Sequence, residues 1–360
     1  MKIFANIIAL LGLGVLTASA IAQSSPLAPI PNQVRGDELT PAAESAIRTG
    51  LSWLATRQQA DGSFGTGGGS YGATSAITSL SAIAFMEAGN LPSRGKYAAQ
   101  VTGAVKYITH CAQESGLLCA EPSPGPMYSH GFATLFLGEV YGMSPDPAVH
   151  ETLENAVKLI ERTQNADGGW RYMPVPFDAD ISVTIAQVMA LRAARDAGVQ
   201  VDKKIIDNAI AYVRHCQNPD GGFSYMANMN APGGGGGSAF ERSAAGVAAL
   251  YYAGVFQGND LKHGLDYVFQ FRPRPNLPPN IYAHYFYGQY YAAQAMFLAG
   301  GNFWATWYPA VRDELISRQD HTLGNWSGEV SNEYCTAVAL IVMQMPNRYL
   351  PVFSGKGPGD

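Results

Sequence analysis

The stretch "QNADGGW", Gln164 to Trp170, decides the fold, because the chain writes it more than once. "QNPDGGF" runs from Gln217 to Phe223, and "QQADGSF" runs from Gln58 to Phe64. Gln164 to Gln217 is a step of 53 residues, and Gln58 to Gln164 is twice that step. A further unit is therefore expected between the first two, and "KYITHCAQESGLL" from Lys106 supplies it. "DYVFQFRP" from Asp266 and "ELISRQDHTLGNW" from Glu314 complete a set of six units.

Each unit reads as two helices of different character. In "ETLENAVKLIERTQ" the apolar Leu153, Ala156, Val157 and Ile160 recur at helical spacing, with charges on the opposite face. The partner segments, "ISVTIAQVMAL" from Ile181 and "SAAGVAALYYAG" from Ser243, are apolar nearly all round. A helix wet on one side belongs outside, and one dry on every side must be covered. Six such pairs predict an all-α fold, an α/α toroid of six helical hairpins forming a double ring of outer and inner helices. Short Asp-Gly and Gly-Gly turns join each outer helix to its inner partner. The toroid is expected over 41–352, with a linker at 23–40 and a tail at 353–360.

A Gln closing an outer helix and an aromatic following Gly resemble the "QW" repeat of squalene-hopene cyclases and protein prenyltransferase β-subunits. The resemblance spans about Ala46 to Met345, with units two and five degenerate. It implies a structural role for the Gln, which can cap exposed carbonyls and tie neighbouring hairpins. "YYAAQAMFLAGG" and "CTAVALIVMQMPNRYLPVF" look still closer to exported bacterial proteins of this repeat class whose activity is not assigned.

The chain opens "MKIFANIIALLGLGVLTASAIAQ", one Lys, an apolar run and closing small residues. That layout predicts a signal peptide over 1–22 and an exported, periplasmic or extracellular protein. The apolar run is short for a membrane span, and no later stretch reaches the roughly 18 uncharged apolar residues that a spanning helix needs. A net charge of -5 spread along the chain gives no reason to expect nucleic acid or an anionic membrane surface as partner. Of the four cysteines, Cys111 and Cys119 flank "AQESGLL" and are the expected disulfide.

Chain order places all six inner-helix N-termini at one mouth of the lumen. Aligning the units on their inner helices puts Thr74, His130, Ser182, Glu241, Tyr287 and Ser331 there, with Asp178, Asp180, Arg242, His284, Tyr285 and Glu333 nearby. "DADIS" at Asp178 resembles the Asp-x-Asp-Asp box of class II terpene cyclases, with Ile181 in place of the last Asp. That resemblance would make Asp180 the general acid, supported by Asp178. The helix dipole at an N-terminus argues the other way, for an ionised N-cap. Glu333, Cys335 and His284 depart from the prenyltransferase zinc pattern and are read as packing, so no metal or cofactor is expected. His130, Glu241, Arg242, His284, Tyr285, Tyr287 and Glu333 are the candidate substrate-binding residues.

Two functional classes stay open. One is a non-catalytic protein that binds a small-molecule ligand, a polymer or a protein partner at the lumen mouth. The other is an enzyme, terpenoid cyclase-like or carbohydrate-active, with Asp180 as general acid.

Overall fold

The computed structural model describes residues 38–65, 74–120, 125–227, 236–274 and 284–353. Among these residues lie twelve α-helices and no strands. The outer helices are α1 (Pro41–Ala55), α3 (Ala98–His110), α5 (Pro147–Arg162), α7 (Lys203–His215), α9 (Asn259–Phe269) and α11 (Gly301–Arg318). The inner helices are α2 (Thr74–Glu87), α4 (Pro126–Met143), α6 (Ile181–Asp196), α8 (Phe240–Tyr252), α10 (Tyr285–Ala299) and α12 (Asn332–Gln344).

Helical periodicity alone sorts the two rings. In α5 the buried positions include Leu153, Ala156, Val157 and Ile160, the stripe that the spacing predicts, and Asp146 caps its N-terminus. In α6 every residue from Val183 to Ala194 is buried, so the helix is covered on all sides. Each fully buried Leu, Ile, Val or Phe contributes about 1.5–3 kcal/mol, and such residues alternate with Ala, Ser and Thr along the inner helices. α2 packs on α4, α4 on α6, and so on round to α12, which packs back on α2. α1 closes the outer ring against α11 and α12.

The repeated Gln explains the closure. The Nε2 of Gln164 donates to Gly168 O in its own turn (2.9 Å) and to Ile205 O near the start of the next outer helix (2.8 Å). Gln58 bonds in the same way to Gly62 and Gln100, Gln217 to Gly221 and Asp260, and Gln319 to Gly324 and Ala46. The last of these joins unit six to unit one. The carbonyls reached belong to the opening turns of the neighbouring helix, not to the end of the helix that carries the Gln. The turn glycine is fixed by the same contact. Gly168 has φ +97°, and a Cβ there would lie 2.2 Å from Asn208 O. Gly62, Gly116 and Gly221 repeat the positive φ and the approach to a carbonyl of the next outer helix.

One end of the toroid is sealed. After α12 the chain makes short 3₁₀ turns at Met345–Asn347 and Pro351–Phe353, and the second packs on α4 and α6. Leu350, Val352 and Phe353 are buried there, so residue 353 belongs to the packed body rather than to a tail.

Candidate functional site at the lumen mouth

Rotation of each inner helix is set by one side-chain bond. The backbone N–H that follows the turn glycines donates to a side chain on the inner helix of its own unit. Phe64 bonds Thr78 (2.8 Å), Leu118 bonds His130 Nδ1 (3.1 Å), and Trp170 bonds Thr184 (3.1 Å). Phe223 bonds Ser243 (2.9 Å), and Trp326 bonds Thr336 (3.0 Å). These five residues face the turns, away from the axis. The residue two positions earlier is rotated by about 200° and faces the axis. That rule gives Ala76, Tyr128, Ser182, Glu241 and Tyr334. Tyr287 of α10 joins them, lying against Ser182 and Asp180.

By this rule Ser182 and Glu241, which the alignment of the units also selects, face the axis together with Tyr287. Unit two presents Tyr128 where His130 was expected, and unit six presents Tyr334 in place of Ser331. His130 is fully buried between the rings, where Nδ1 accepts from Leu118 and the Nε2–H donates to Ala156 O (3.2 Å). Burial holds its pKa down at about 4, so the ring is neutral. Unit two lacks the Gln, with Ala112 in its place, and the imidazole supplies the link to the next outer helix besides the turn bond that Thr or Ser makes in the other units. Ser331 caps α12 through Tyr334 N–H.

Asp180 is the centre of the mouth cluster and has no exposed surface. It caps α6, its Oδ1 accepting from Val183 N–H (2.8 Å). Its Oδ2 accepts from the Tyr225 hydroxyl (3.1 Å) and pairs with Arg171 Nε (3.7 Å). Since Tyr225 gives its proton to Asp180, the Tyr172 hydroxyl bonded to Tyr225 is the donor in that contact. A chain of hydroxyls thus runs from a buried carboxylate to a half-buried phenol. The helix dipole and these bonds favour the anion, but burial outweighs them and lifts the Asp180 pKa from 3.8 to about 6. The expectation of a depressed value is corrected: position at an N-terminus is the smaller effect in a site this dry.

Asp178 is half-buried and pairs with Arg171, whose guanidinium also lies over the Tyr172 ring (5.2 Å). That ion pair closes the loop of residues 171–179, whose base is held by Asp180 N–H on Trp170 O and by Met127 N–H on Tyr172 O. Tyr128 packs on Tyr172 with ring centroids 6.1 Å apart. Tyr128, Tyr172, Tyr225 and Tyr287 are all half-buried and gather about Asp180, and Tyr334 of α12, also half-buried, stands by Tyr287. Spacing could have found Tyr128, two residues before His130. Tyr172 and Tyr225 come from turns, where no periodicity marks them.

The other candidates lie elsewhere. Arg242 is half-buried, and its Nε donates to Phe223 O (3.1 Å). His284 is exposed, has φ 52°, and pairs with Glu329 (2.7 Å). Tyr285 faces the outer ring, with Arg318 3.8 Å from its ring centre. Glu333 turns outward to Arg57 (2.8 Å), joining α12 to the end of α1. Cys335 is buried, and burial pushes its thiol up to about 12. Glu333, Cys335 and His284 are thus not gathered, and among the described residues no three His, Cys, Asp or Glu side chains converge to hold a metal. Residues 66–73, 121–124, 228–235 and 275–283 lie outside the described residues.

Below the mouth, the Phe132 ring of α4 meets the Tyr290 ring of α10 at 6.1 Å. These helices stand opposite each other in the ring of six, so this contact crosses the axis. Two acids lie beyond it, Glu87 and Glu139, 0% and 1% exposed. Burial raises the Glu139 pKa to about 8 and, together with the charge of Glu139, lifts Glu87 well above the usual carboxylate range. Neither was singled out from sequence.

This architecture is an α/α toroid, and family models agree. Residues 36–137 match the prenyltransferase alpha-alpha toroid domain, and residues 134–276 match the squalene-hopene cyclase C-terminal domain. The two matches together run over residues 36–276, so the chain is similar to the prenyltransferase and squalene-hopene cyclase repeat proteins. No curated protein sequence matches it. Among solved structures it is similar to an α-1,6-mannanase variant from Salegentibacter in complex with α-1,6-mannotetrose, with TM-score 0.62 and 10% identity over 86% of this chain and 100% of that one. It is also similar to a cellobiose 2-epimerase from Spirochaeta thermophila, with TM-score 0.62 and 14% identity over 86% of this chain and 98% of that one. A type II terpene cyclase from Scytonema, in complex with geranylgeranyl dihydroxybenzoate, gives TM-score 0.56 and 13% identity over 86% and 98%. At these identities the likeness is one of fold. No helix among the described residues is long and apolar enough to cross a membrane.

Proposed function

We propose that the protein binds a hydroxyl-rich ring ligand, a sugar or a glycan end, at the lumen mouth, with Asp180 as an anchor and not a proton donor. One observation carries this reading. Four half-buried tyrosines, Tyr128, Tyr172, Tyr225 and Tyr287, gather about a carboxylate that has no exposed surface and both oxygens engaged by the protein. A general acid needs an oxygen open to its substrate, and Asp180 presents none. Phenol faces stack on the apolar faces of pyranose rings, while their hydroxyls, the Ser182 hydroxyl and the Glu241 carboxylate suit sugar hydroxyls. A hydrocarbon would leave those polar groups unpaired. The segment read as a signal peptide would export the protein to where glycans are met, and sequencing the N-terminus of the secreted form tests that step.

The cyclase-like reading rests on a different observation, the Asp180 pKa of about 6, which keeps part of the population protonated near neutral pH. Calorimetric titration with manno- and cello-oligosaccharides and with geranylgeranyl diphosphate separates the two. Saccharide binding that is lost in Tyr128→Ala and Tyr287→Ala but kept in Asp180→Asn is the expected result. Turnover of a prenyl ligand that vanishes in Asp180→Asn would replace the binding reading by the cyclase one.

A further inference from the structure

The closed end of the toroid holds a buried carboxylate, Glu87, with neither oxygen hydrogen-bonded. Glu87, Glu139 and Tyr252 stand nine residues after Thr78, His130 and Ser243, the residues that face the turns. Nine residues are two and a half helical turns, so all three point at the axis. Glu87 ends α2, Glu139 lies near the end of the adjacent α4, and the 3₁₀ turn at Pro351–Phe353 covers them from below. Glu139 accepts only from Val352 N–H, at 3.3 and 3.5 Å to its two oxygens. Both oxygens of Glu87 are without any partner. A third group enters from across the axis. The Tyr290 hydroxyl makes no hydrogen bond of normal geometry and has the Gln294 side chain as a polar neighbour, its residue is 2% exposed, and it lies within the electrostatic reach of both acids. The Gln294 amide beside it is already committed, its oxygen to Tyr252 (2.6 Å) and its nitrogen to the Tyr290 carbonyl (2.7 Å).

Charge is unbalanced in the same place. Arg192, whose field reaches Glu139, is bound to Asp196 at 2.6 Å, and no cation contributes to the surroundings of Glu87. Two acids on adjacent helices are thus buried near a phenol, and among the described residues the cation whose field reaches Glu139, Arg192, is held by Asp196. Buried polar groups almost always have partners, and two carboxylates with a phenol oxygen are hard ligands.

We propose that Glu87, Glu139 and Tyr290 form a cation site at the floor of the toroid, taking a hard metal ion or a primary ammonium group. The site is separate from the mouth and does not depend on what the mouth binds. Four carboxylate oxygens and one phenol oxygen can surround the ion, with water completing the shell. Filling it ties α2, α4 and α10 together beneath the aromatic contact of Phe132 and Tyr290.

The test uses the whole chain, stripped with a chelator and dialysed at pH 7.5. Melting temperature is measured against calcium, magnesium, manganese and methylammonium chlorides, with choline chloride matching ionic strength. A saturable rise of about 5 °C with one of these cations, absent in both Glu87→Gln and Glu139→Gln, is expected. Which salt acts tells a metal from an ammonium ligand. Native mass spectrometry of the unsubstituted chain should show one such cation bound, so the proposal stays testable even if a variant fails to fold. No cation bound by mass and no cation-specific rise would overturn it, leaving the two acids as a neutral, proton-bearing pair.

Discussion

Replacing Asp180 by Asn tests the balance of forces at the mouth. Burial lifts its pKa from 3.8 to about 6, although an N-cap bond, a tyrosine hydroxyl and Arg171 all favour the anion. That rise corresponds to about 3 kcal/mol. Because the folded value lies above the unfolded one, the stabilisation is fully present below pH 3.8 and is lost as pH rises through about 6. At pH 7.5 the native protein therefore carries an ionised group that burial disfavours. Asn keeps the cap, since its side-chain oxygen can accept from Val183 N–H as Oδ1 now does at 2.8 Å. It loses the pairing with Arg171, and its amide must meet the Tyr225 hydroxyl with donor and acceptor roles exchanged. These losses offset part of the gain. Asp180→Asn should therefore be between unchanged and about 2 kcal/mol more stable than the parent at pH 7.5, the difference closing near pH 4.

Urea denaturation at half-unit steps from pH 4 to pH 8 measures this difference directly. Asp180→Ala, which removes both the cap and the acceptor for Tyr225, should cost about 1–3 kcal/mol at every pH. An Asn variant that loses more than about 1 kcal/mol at pH 7.5, with the deficit growing as pH rises, would refute the reasoning. The ion pair with Arg171 would then outweigh burial, and Asp180 would be held as a favourable anion.

The remaining predictions concern the frame that holds the mouth. Gly168→Ala should cost about 3 kcal/mol or more, because it combines a positive φ with a carbonyl 2.2 Å from the new carbon. Gly198→Ala, with φ +92° and nothing within 4 Å, should cost only about 1–2 kcal/mol, and comparing their melting curves isolates the clash. The His130 pKa of about 4 lies below its ordinary 6.5, so its contribution is present above pH 6.5 and lost as pH falls through 4. His130→Gln can keep both backbone bonds without titrating, so it should match the parent at pH 7 and exceed it at pH 4 in chemical denaturation. Cys111 and Cys119 are buried on either side of the bridge between Ala112 and Leu118, opposite each other across the turn. Non-reducing peptide mapping of exported protein should recover them joined, and two alkylated thiols would remove that pairing.

How much of this was legible follows from what each signal depends on. The two rings were legible because amphipathic and wholly apolar helices obey local periodicity, as Leu153 to Ile160 and Val183 to Ala194 illustrate. The Asp-Gly-Gly turns were legible because only glycine tolerates both the backbone angle and the approach of the next helix. Rotation of the inner helices was not. The turn N–H finds its partner 10 residues on in unit six, 12 in unit two, 14 in units one and three, and 20 in unit four. Counting from a common motif therefore drifts by a few residues. A drift of two residues rotates a side chain by about 200°, which exchanges the wall for the lumen. His130 and Tyr128 changed places in this way.

The same geometry explains why the floor was missed while the mouth was found. An acid at the end of an apolar helix, such as Glu87, reads as the point where the chain returns to water. Water is absent there because residues 345–353 fold back across the opening, more than 250 positions away from Glu87 in sequence. No local pattern carries that contact. Asn347 donates to the Glu87 carbonyl (3.0 Å), and Val352 donates to Glu139. The covering segment thus touches the two inner helices that bear the acids. The burial that makes Glu87 and Glu139 costly to ionise is therefore a consequence of ring closure, and any change that loosens the C-terminal cover should return both to ordinary carboxylates.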